Sequence, residues 1–309
     1  MLTEPELQEI ESSATELARN AGKLLLGYFD KPLQVSYKAD NNRSPVTDAD
    51  KASDDYLRGE IARRFPEHAL LSEESEDGAD RVAEVTWVID PLDGTSNFLN
   101  GLPTFGVLIA VLEQGRPVAS ATFLPSVTDP EGRVLHAHAG GGAFDGDVRL
   151  SLAEDSEPLR RMSAWPPYFL RMFKFGPQLN RRLGDVRATG SAGFEIAMAA
   201  RGVFDYATLN NQWIWDAASG VLLVQEAGGS VLAFEKGGKG GAQKGWAPFE
   251  RFVVEHAGTS PTPAELRTWH RSIVVGKTPA VELITSGLGF PSFRVRRLRQ
   301  RISRLLRRG

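Results

Sequence analysis

Near the N-terminus, apolar side chains recur in steps of three and four: Leu7, Ile10, Ala14, Leu17, Ala18, Ala21, Leu24, Leu25 and Tyr28. That period predicts an amphipathic helix, closed by Lys31-Pro32. A short strand over 35–38 leads into a polar, turn-rich loop from Ala39 to Pro45. A second helix is expected over 48–65, with Ala49, Ala52, Tyr56, Leu57 and Ile61 toward a core. Thr47 or Asp48 would cap it and Pro66 end it. Beyond it the period changes to that of strands. Ala69-Leu70-Leu71-Ser72 ends in Glu73-Glu74, and Trp87-Val88-Ile89 ends in Asp90-Pro91. The segments 106–113 and 118–124 flank a Gln114-Gly115-Arg116 hairpin, and 133–139 and an Asp145-Gly146 hairpin follow. Residues 1–148 therefore predict two helices against a meandering, mostly antiparallel sheet.

From 149 onward helices and strands alternate, which predicts an α/β second half over 149–285. Gly190-Ser191-Ala192-Gly193 opens a helix that ends at Gly202, and a strand is expected at 203–207. Trp213-Ile214-Trp215-Asp216 leads into a small-residue helix that stops near Gly228-Gly229, followed by a strand at 230–234. Residues 236–249, rich in glycine and lysine, predict a surface loop. Past a Gly287-Leu288-Gly289-Phe290-Pro291 break, Val295, Leu298, Ile302 and Leu305 step by three and four between arginines. This describes a basic amphipathic tail over 286–309.

The densest chemistry lies in Asp90-Pro91-Leu92-Asp93-Gly94-Thr95-Ser96-Asn97. Proline lacks an N–H and fixes φ, so the strand is expected to stop at Asp90-Pro91. Asp93-Gly94 forms a turn, and Thr95 and Ser96 are suited to cap a helix. Two carboxylates at one strand end, ~4 Å apart, repel by about 4 kcal/mol at an effective dielectric of ~20. A raised pKa or a bound cation must offset this. The N–H groups of Gly94, Thr95 and Ser96 at a helix start suit a phosphate. Taken alone, Asp-x-x-Asp is also read as an acidic turn with a capped helix. Asp50 and Asp216 have a similar plain reading, as acids in the first turn of a helix.

Composition narrows the chemistry. The 309 residues include no cysteine, which excludes disulfides, thiolate zinc sites and cysteine nucleophiles. The five histidines are at 68, 136, 138, 256 and 270. His136 and His138 share one strand face, expected to be solvated, with a metal pair as the alternative. Any bound metal would thus have mostly oxygen ligands, which points to magnesium, or else manganese. The formal net charge is −3, yet eight arginines fall between 294 and 308, so the body without them stands at −11. An acidic body does not favour nucleic acid, whereas the tail suits an anionic surface or an acidic partner. No signal-peptide pattern or span of membrane length is present, so a cytoplasmic protein is expected.

Leu71-Ser72-Glu73-Glu74-Ser75, the run from Trp87 to Phe98, and Trp215-Asp216-Ala217-Ala218-Ser219-Gly220 resemble the motifs of the inositol monophosphatase family. Gly142-Ala143-Phe144 and Glu226-Ala227-Gly228-Gly229 support the match in order, and it extends to about residue 285. The superfamily hydrolyses small phosphomonoesters with magnesium and is inhibited by lithium. The resemblance implies a five-layer α-β-α-β-α sandwich, with an antiparallel N-terminal sheet, a mixed C-terminal sheet and the site between the halves. It also implies a homodimer, a small phosphorylated metabolite as substrate, and two or three Mg2+ ions. By position, Glu73, Asp90, Asp93, the Leu92 carbonyl and Asp216 are the implied metal ligands. Asp50 and Thr95 are the pair implied to orient and deprotonate the attacking water. Glu74 matches the motif's second acid and Lys38 a lysine near a third metal. Gly94, Thr95 and Ser96 would bind phosphate; Asp93, Gly190, Ser191, Ala192 and position 209 would contact the substrate.

Two positions depart from the family pattern. Ser72 stands where the motif has glycine, and Leu209 stands where the family places an acid that holds substrate hydroxyls. A polyol substrate would thereby lose a charge-assisted hydrogen bond of roughly 1.5–3 kcal/mol. Alternatives to an inositol phosphate substrate are a sugar bisphosphate, a 3′-phosphonucleotide or histidinol phosphate. An alternative of another class is a non-catalytic regulatory binding protein on the same scaffold.

Overall fold

The structure, a computed structural model, describes residues 1–37, 45–75, 80–152, 162–235, 245–252 and 260–290. Lys38, the loop at 39–44, the glycine- and lysine-rich stretch at 236–244 and the basic residues of 291–309 lie outside the described residues. In chain order the described helices are α1 Glu4–Tyr28, α2 Asp48–Arg64, α3 Thr95–Leu99, α4 Phe169–Met172, α5 Ala192–Ala200, α6 Ile214–Glu226, α7 Pro263–Arg267 and α8 Thr278–Gly287.

The first sheet takes seven strands in chain order: Ala69–Ser72, Val85–Asp93, Gly106–Glu113, Arg116–Leu124, Arg133–His138, Gly142–Asp145 and Val148–Arg149. The first pair is parallel and the others antiparallel. Alternation along these strands feeds two cores. Trp87, Ile89, Val107, Ile109 and Phe123 pack with Leu17, Leu25, Leu57 and Ile61 of α1 and α2. Val88, Ala110, Leu112 and Leu135 pack on the opposite side with Ile196, Val221 and Leu223 of α5 and α6. Both faces of the sheet are covered, so its central strands are apolar throughout.

A second sheet continues the layering. Its order is Asp185–Arg187, Met162–Ala164, Phe204–Trp213, His270–Gly276, Ser230–Glu235 and Gly245–Pro248. Pairs on the Met162–Ala164 strand are parallel and the rest antiparallel, a mixed sheet. Ala207, Leu209, Ile273 and Val275 face α5 and α6, while Tyr206 and Val274 face Ala280, Val281 and Ile284 of α8. The result is the five-layer α-β-α-β-α sandwich, with α5 and α6 as the shared central layer.

Several local expectations need correction. The Val85–Asp93 strand does not stop at Asp90-Pro91. Its register passes from Asp90 opposite Leu108 to Asp93 opposite Gly106, so one extra residue is accommodated as a bulge. A bulge tolerates the missing N–H of Pro91 and lets pairing resume. The cap of α3 is Gly94, with φ 82°, and Thr95 and Ser96 are instead its first residues. His136 and His138 are not on a solvated face; they lie under α1, both bonded to Glu11. Residues 245–248 are not loop but strand, paired with Ser230–Glu235. The expected boundary at 285/286 falls inside α8. Just beyond, Leu288-Gly289 pairs with Lys174-Phe175 and Phe290 packs 4.3 Å from the Phe234 ring, which keeps this segment in the folded core.

Candidate active site

The parallel pair at the edge of the first sheet brings two acids to the same strand ends. Ser72 lies opposite Ile89, and the Glu73 N–H donates to the Ile89 carbonyl at 3.1 Å, so Glu73 emerges beside Asp90. Asp216 is in the first turn of α6, where its Oδ2 accepts from the Trp213 N–H at 3.1 Å. The two halves of the chain thus place carboxylate oxygens of Glu73, Asp90 and Asp216 within 4.8 Å of one another. Each ionised pair at that separation repels by about 3.5 kcal/mol at an effective dielectric of ~20. Burial pushes the Asp90 pKa well up, and the charges of Glu73, Asp93 and Asp216 push in the same direction. An all-oxygen set of three clustered carboxylates fits a hard divalent cation.

The bulge arranges the neighbouring groups. The Leu92 N–H donates to Asp90 Oδ1 at 3.1 Å, and the Leu92 carbonyl oxygen lies 3.1 Å from Thr95 Oγ1. Thr95 Oγ1 is also 3.2 Å from Asp50 Oδ1. Asp50 is held from its other oxygen by the Thr47 N–H at 2.7 Å and the Thr47 hydroxyl at 2.5 Å, a capping box at the start of α2. The first-turn reading of Asp50 therefore holds together with its contact to Thr95. Burial raises the Asp50 pKa despite the Thr47 and Thr95 hydrogen bonds, making it a better proton acceptor than an exposed aspartate. Gly94 is required at its turn: besides the positive φ, a Cβ there would stand 2.9 Å from the Thr104 carbonyl oxygen.

Asp93 adjoins this cluster and bonds to the second half of the chain. Its Oδ2 accepts from Ser191 Oγ and, at 2.8 Å, from the Gly193 N–H at the start of α5. Burial pushes its pKa up to about 6 against those hydrogen bonds. Ser191 and Gly193 therefore tie Asp93 of the first half to α5 of the second.

The model of the inositol monophosphatase family matches residues 6–270. The chain belongs to that family. It is 34% identical over 244 residues to the inositol-1-monophosphatase of Rhizobium meliloti, covering 75% of this chain and 85% of that one. It is also 34% identical over 230 residues to Nus factor SuhB of Escherichia coli K12, covering 72% and 85%. Among solved structures, the extragenic suppressor protein SuhB of Bartonella henselae superposes with a TM-score of 0.65 at 26% identity, covering 89% and 96%. The inositol monophosphatase of Anabaena superposes at 0.63 and 27%, covering 90% and 94%.

Both departures from the family's motifs have structural consequences. The Ser72 hydroxyl, where the motif has glycine, donates to Asp54 and accepts from the Glu74 N–H at 3.1 Å. Leu209 is 2% exposed, opposite Ile273 and inside the central core, so this side chain contacts apolar neighbours and offers no face to a ligand. Gly190 has φ 82° and lies close to Asn97, whose Nδ2 donates to the carbonyls of Thr104 and Thr189 at 2.7 and 2.8 Å. Sequence reasoning passed over Asn97 as a tie between the halves. It also passed over Glu195, a buried acid on α5 bonded to Thr189 N and Oγ1 at 2.8 and 2.9 Å and pushed up to about 7 by burial. Arg267 was missed as well; its guanidinium donates to the backbone carbonyls of Ser72, Glu73 and Ser75.

Proposed function

We propose that the chain is a magnesium-dependent phosphoric monoester hydrolase acting on a small phosphorylated metabolite. The observation that carries this reading is the convergence of Glu73, Asp90 and Asp216 beside the Asp50–Thr95 pair. Glu73, Asp90, Asp216 and the Leu92 carbonyl would hold divalent metal, with Asp93 adjoining. Two or three Mg2+ ions, or Mn2+ in their place, would supply Lewis acidity toward the phosphoryl oxygens and lower the pKa of water. Thr95 Oγ1, donating to Asp50, keeps lone pairs free to accept a hydrogen bond from the attacking water. Asp50 receives the proton that this water loses. The water oxygen forms the new P–O bond as the ester P–O bond opposite breaks, and the departing alkoxide is protonated by solvent. The N–H groups of Gly94, Thr95 and Ser96 would steady the phosphoryl oxygens. Ser191 and Gly193 hold Asp93, so Gly190, Ser191 and Ala192 act on substrate through the shape of this junction.

The burial of Leu209 favours an alcohol other than a polyol held by an acid at that position. The similarity to Nus factor SuhB supports a second reading, a regulatory binding role on the same scaffold. The complete carboxylate set favours catalysis. A homodimer in the cytoplasm is the expected state, and among the described residues no helix is long and apolar enough to cross a membrane. The test is phosphate release from inositol 1-phosphate, a sugar bisphosphate, a 3′-phosphonucleotide and histidinol phosphate, with and without magnesium and lithium. Turnover of at least one ester, lost with chelator and reduced by lithium, is the expected result. Absence of phosphate release from every ester would overturn the catalytic reading.

A further inference from the structure

Arg267 is the last residue of α7, a helix that holds none of the carboxylates. The helix is fixed by its own capping box between Thr262 and Glu265 and by Leu266, which is fully buried. From this anchored position Arg267 reaches back across the molecule to the strand end that carries Glu73. One terminal nitrogen donates to the Ser72 carbonyl and, at 2.6 Å, to the Ser75 carbonyl; the other is 3.5 Å from the Glu73 carbonyl. The guanidinium carbon lies 5.1 Å from the centre of the Trp215 ring. Trp215 is buried, stacked on Trp213 at 5.4 Å, and precedes Asp216. One side chain thus grips the backbone around one acid of the cluster and packs on the residue next to another.

The local backbone needs such a grip. Strand pairing ends with Ser72 opposite Ile89, and the Glu73 N–H makes the last bond to that strand. Beyond it the chain leaves the sheet, and among the described residues Arg267 donates to the carbonyls of Ser72, Glu73 and Ser75. A planar guanidinium presents several donors in a fixed fork and stacks on an aromatic face, whereas an ammonium is a single point charge.

We propose that Arg267 is a positioning residue that sets Glu73 at metal-binding distance from Asp216, coupling the two halves of the site. This rests on the reading of the acidic cluster as the metal centre. Groups behind the ligands typically change metal affinity by ~10–100-fold when removed.

The experiment is calorimetric titration of the full chain with Mn2+ alone, in the absence of substrate. Wild type is compared with Arg267→Ala, Arg267→Lys, Glu73→Gln, Asp90→Asn and the Arg267→Ala/Glu73→Gln double variant, each checked for native circular dichroism. Arg267→Ala is expected to weaken Mn2+ binding about tenfold or more. Arg267→Lys should recover only part of the loss, and the double variant should bind no more weakly than Glu73→Gln alone. That non-additivity marks action through Glu73, which a general loss of packing would not produce. If Arg267→Ala does not fold, Arg267→Lys carries the same comparison. Affinity within twofold of wild type for the Arg267 variants, or additive losses in the double variant, would overturn the assignment. Loss of binding in Asp90→Asn alongside unchanged Arg267 variants removes Arg267 but keeps the metal site. A wild type that binds no Mn2+, or an Asp90→Asn that binds as well as wild type, removes both.

Discussion

Asp90→Asn should make the metal-free protein more stable while abolishing turnover, and this opposition tests the central acidic cluster. Asp90 is 2% exposed and shares a 4.8 Å neighbourhood with Glu73 and Asp216. Two pairs at about 3.5 kcal/mol each set an upper limit of roughly 7 kcal/mol for repulsion in the fully ionised, metal-free cluster. Protonation of the cluster relieves much of that, at 1.36 kcal/mol for each pH unit above the governing pKa. A net gain of about 2 kcal/mol is expected for the variant, equivalent to roughly 3 °C in Tm for a chain of 309 residues. Asparagine preserves the shape and can still accept the Leu92 N–H, which holds Asp90 Oδ1 at 3.1 Å. The order should reverse with metal. At a magnesium concentration a hundred times its Kd, wild type gains about 2.7 kcal/mol by mass action, and the variant gains much less. The assay is thermal melting of both proteins in chelator and across a magnesium series. A variant that melts below wild type in chelator, or gains as much from magnesium, would refute the reasoning.

Asp50→Asn and Thr95→Ala should each lower kcat by about a hundredfold or more while leaving Mn2+ affinity near wild type, because neither is a metal ligand in this reading; kcat within tenfold of wild type contradicts the pair's role. Leu209→Glu buries a carboxylate in the central core and should destabilise the protein by about 3 kcal/mol or more in urea titration, with no gain in kcat/KM for inositol 1-phosphate over other esters. Glu11→Gln should remove a pH-dependent contribution to stability. Burial lowers the pKa of the half-buried His136 ring and the buried His138 ring, but their hydrogen bonds to Glu11 outweigh it and raise both above 6.5, with Glu4 assisting His138 and Arg19 opposing at His136. Glu11, half-buried, is lowered below 4.5 by the same two bonds. The histidine share is full below about pH 6.5 and lost as pH rises through the raised values, and the Glu11 share is lost as pH falls below about 4.5. The stability gap to wild type in urea titrations should thus be widest between these limits and narrow as pH rises through the raised histidine values; a gap unchanged with pH contradicts the ion-paired assignment. Truncation after Phe290 should leave kcat near wild type and abolish binding to anionic vesicles at low salt, since each arginine near such a surface contributes about 1 kcal/mol; full-length protein that ignores the vesicles would end the membrane-surface idea.

The parts of this molecule legible in the sequence were those set by local rules. The three-and-four spacing from Leu7 to Tyr28 is α1, and the Thr47 cap of α2 follows from a side chain three residues before Asp50. Alternation along Trp87-Val88-Ile89 places successive side chains in different cores, and with it the layer order. The acids were legible because their motifs are contiguous. Proline was misleading at Asp90-Pro91: a missing N–H ends a regular ladder, but a bulge has a place for it, and tertiary pairing with Gly106 carried the strand on. The histidine pair was misplaced for a similar reason, since a two-residue period gives the shared face but not the helix that covers it.

The strands at 162–164 and 185–187 have three residues each, too short for any period to show. The hardest features to foresee were contacts between a side chain and a distant backbone. Asn97 reaches the Thr189 carbonyl across 92 residues, and Arg267 reaches the Ser72 carbonyl across 195. A carbonyl is the same chemical group at every residue, so its partner leaves no complementary residue type to find. Such contacts are nevertheless where the site gains its geometry. Glu73 and Asp216 arrive on separate halves of the chain, and the repulsion between their ionised forms favours separation. The forces that keep them close must therefore come from groups that do not themselves ligate. Asn97, Ser191 with Gly193, and Arg267 are three such ties, each joining a residue from one half to the backbone or the acid of the other.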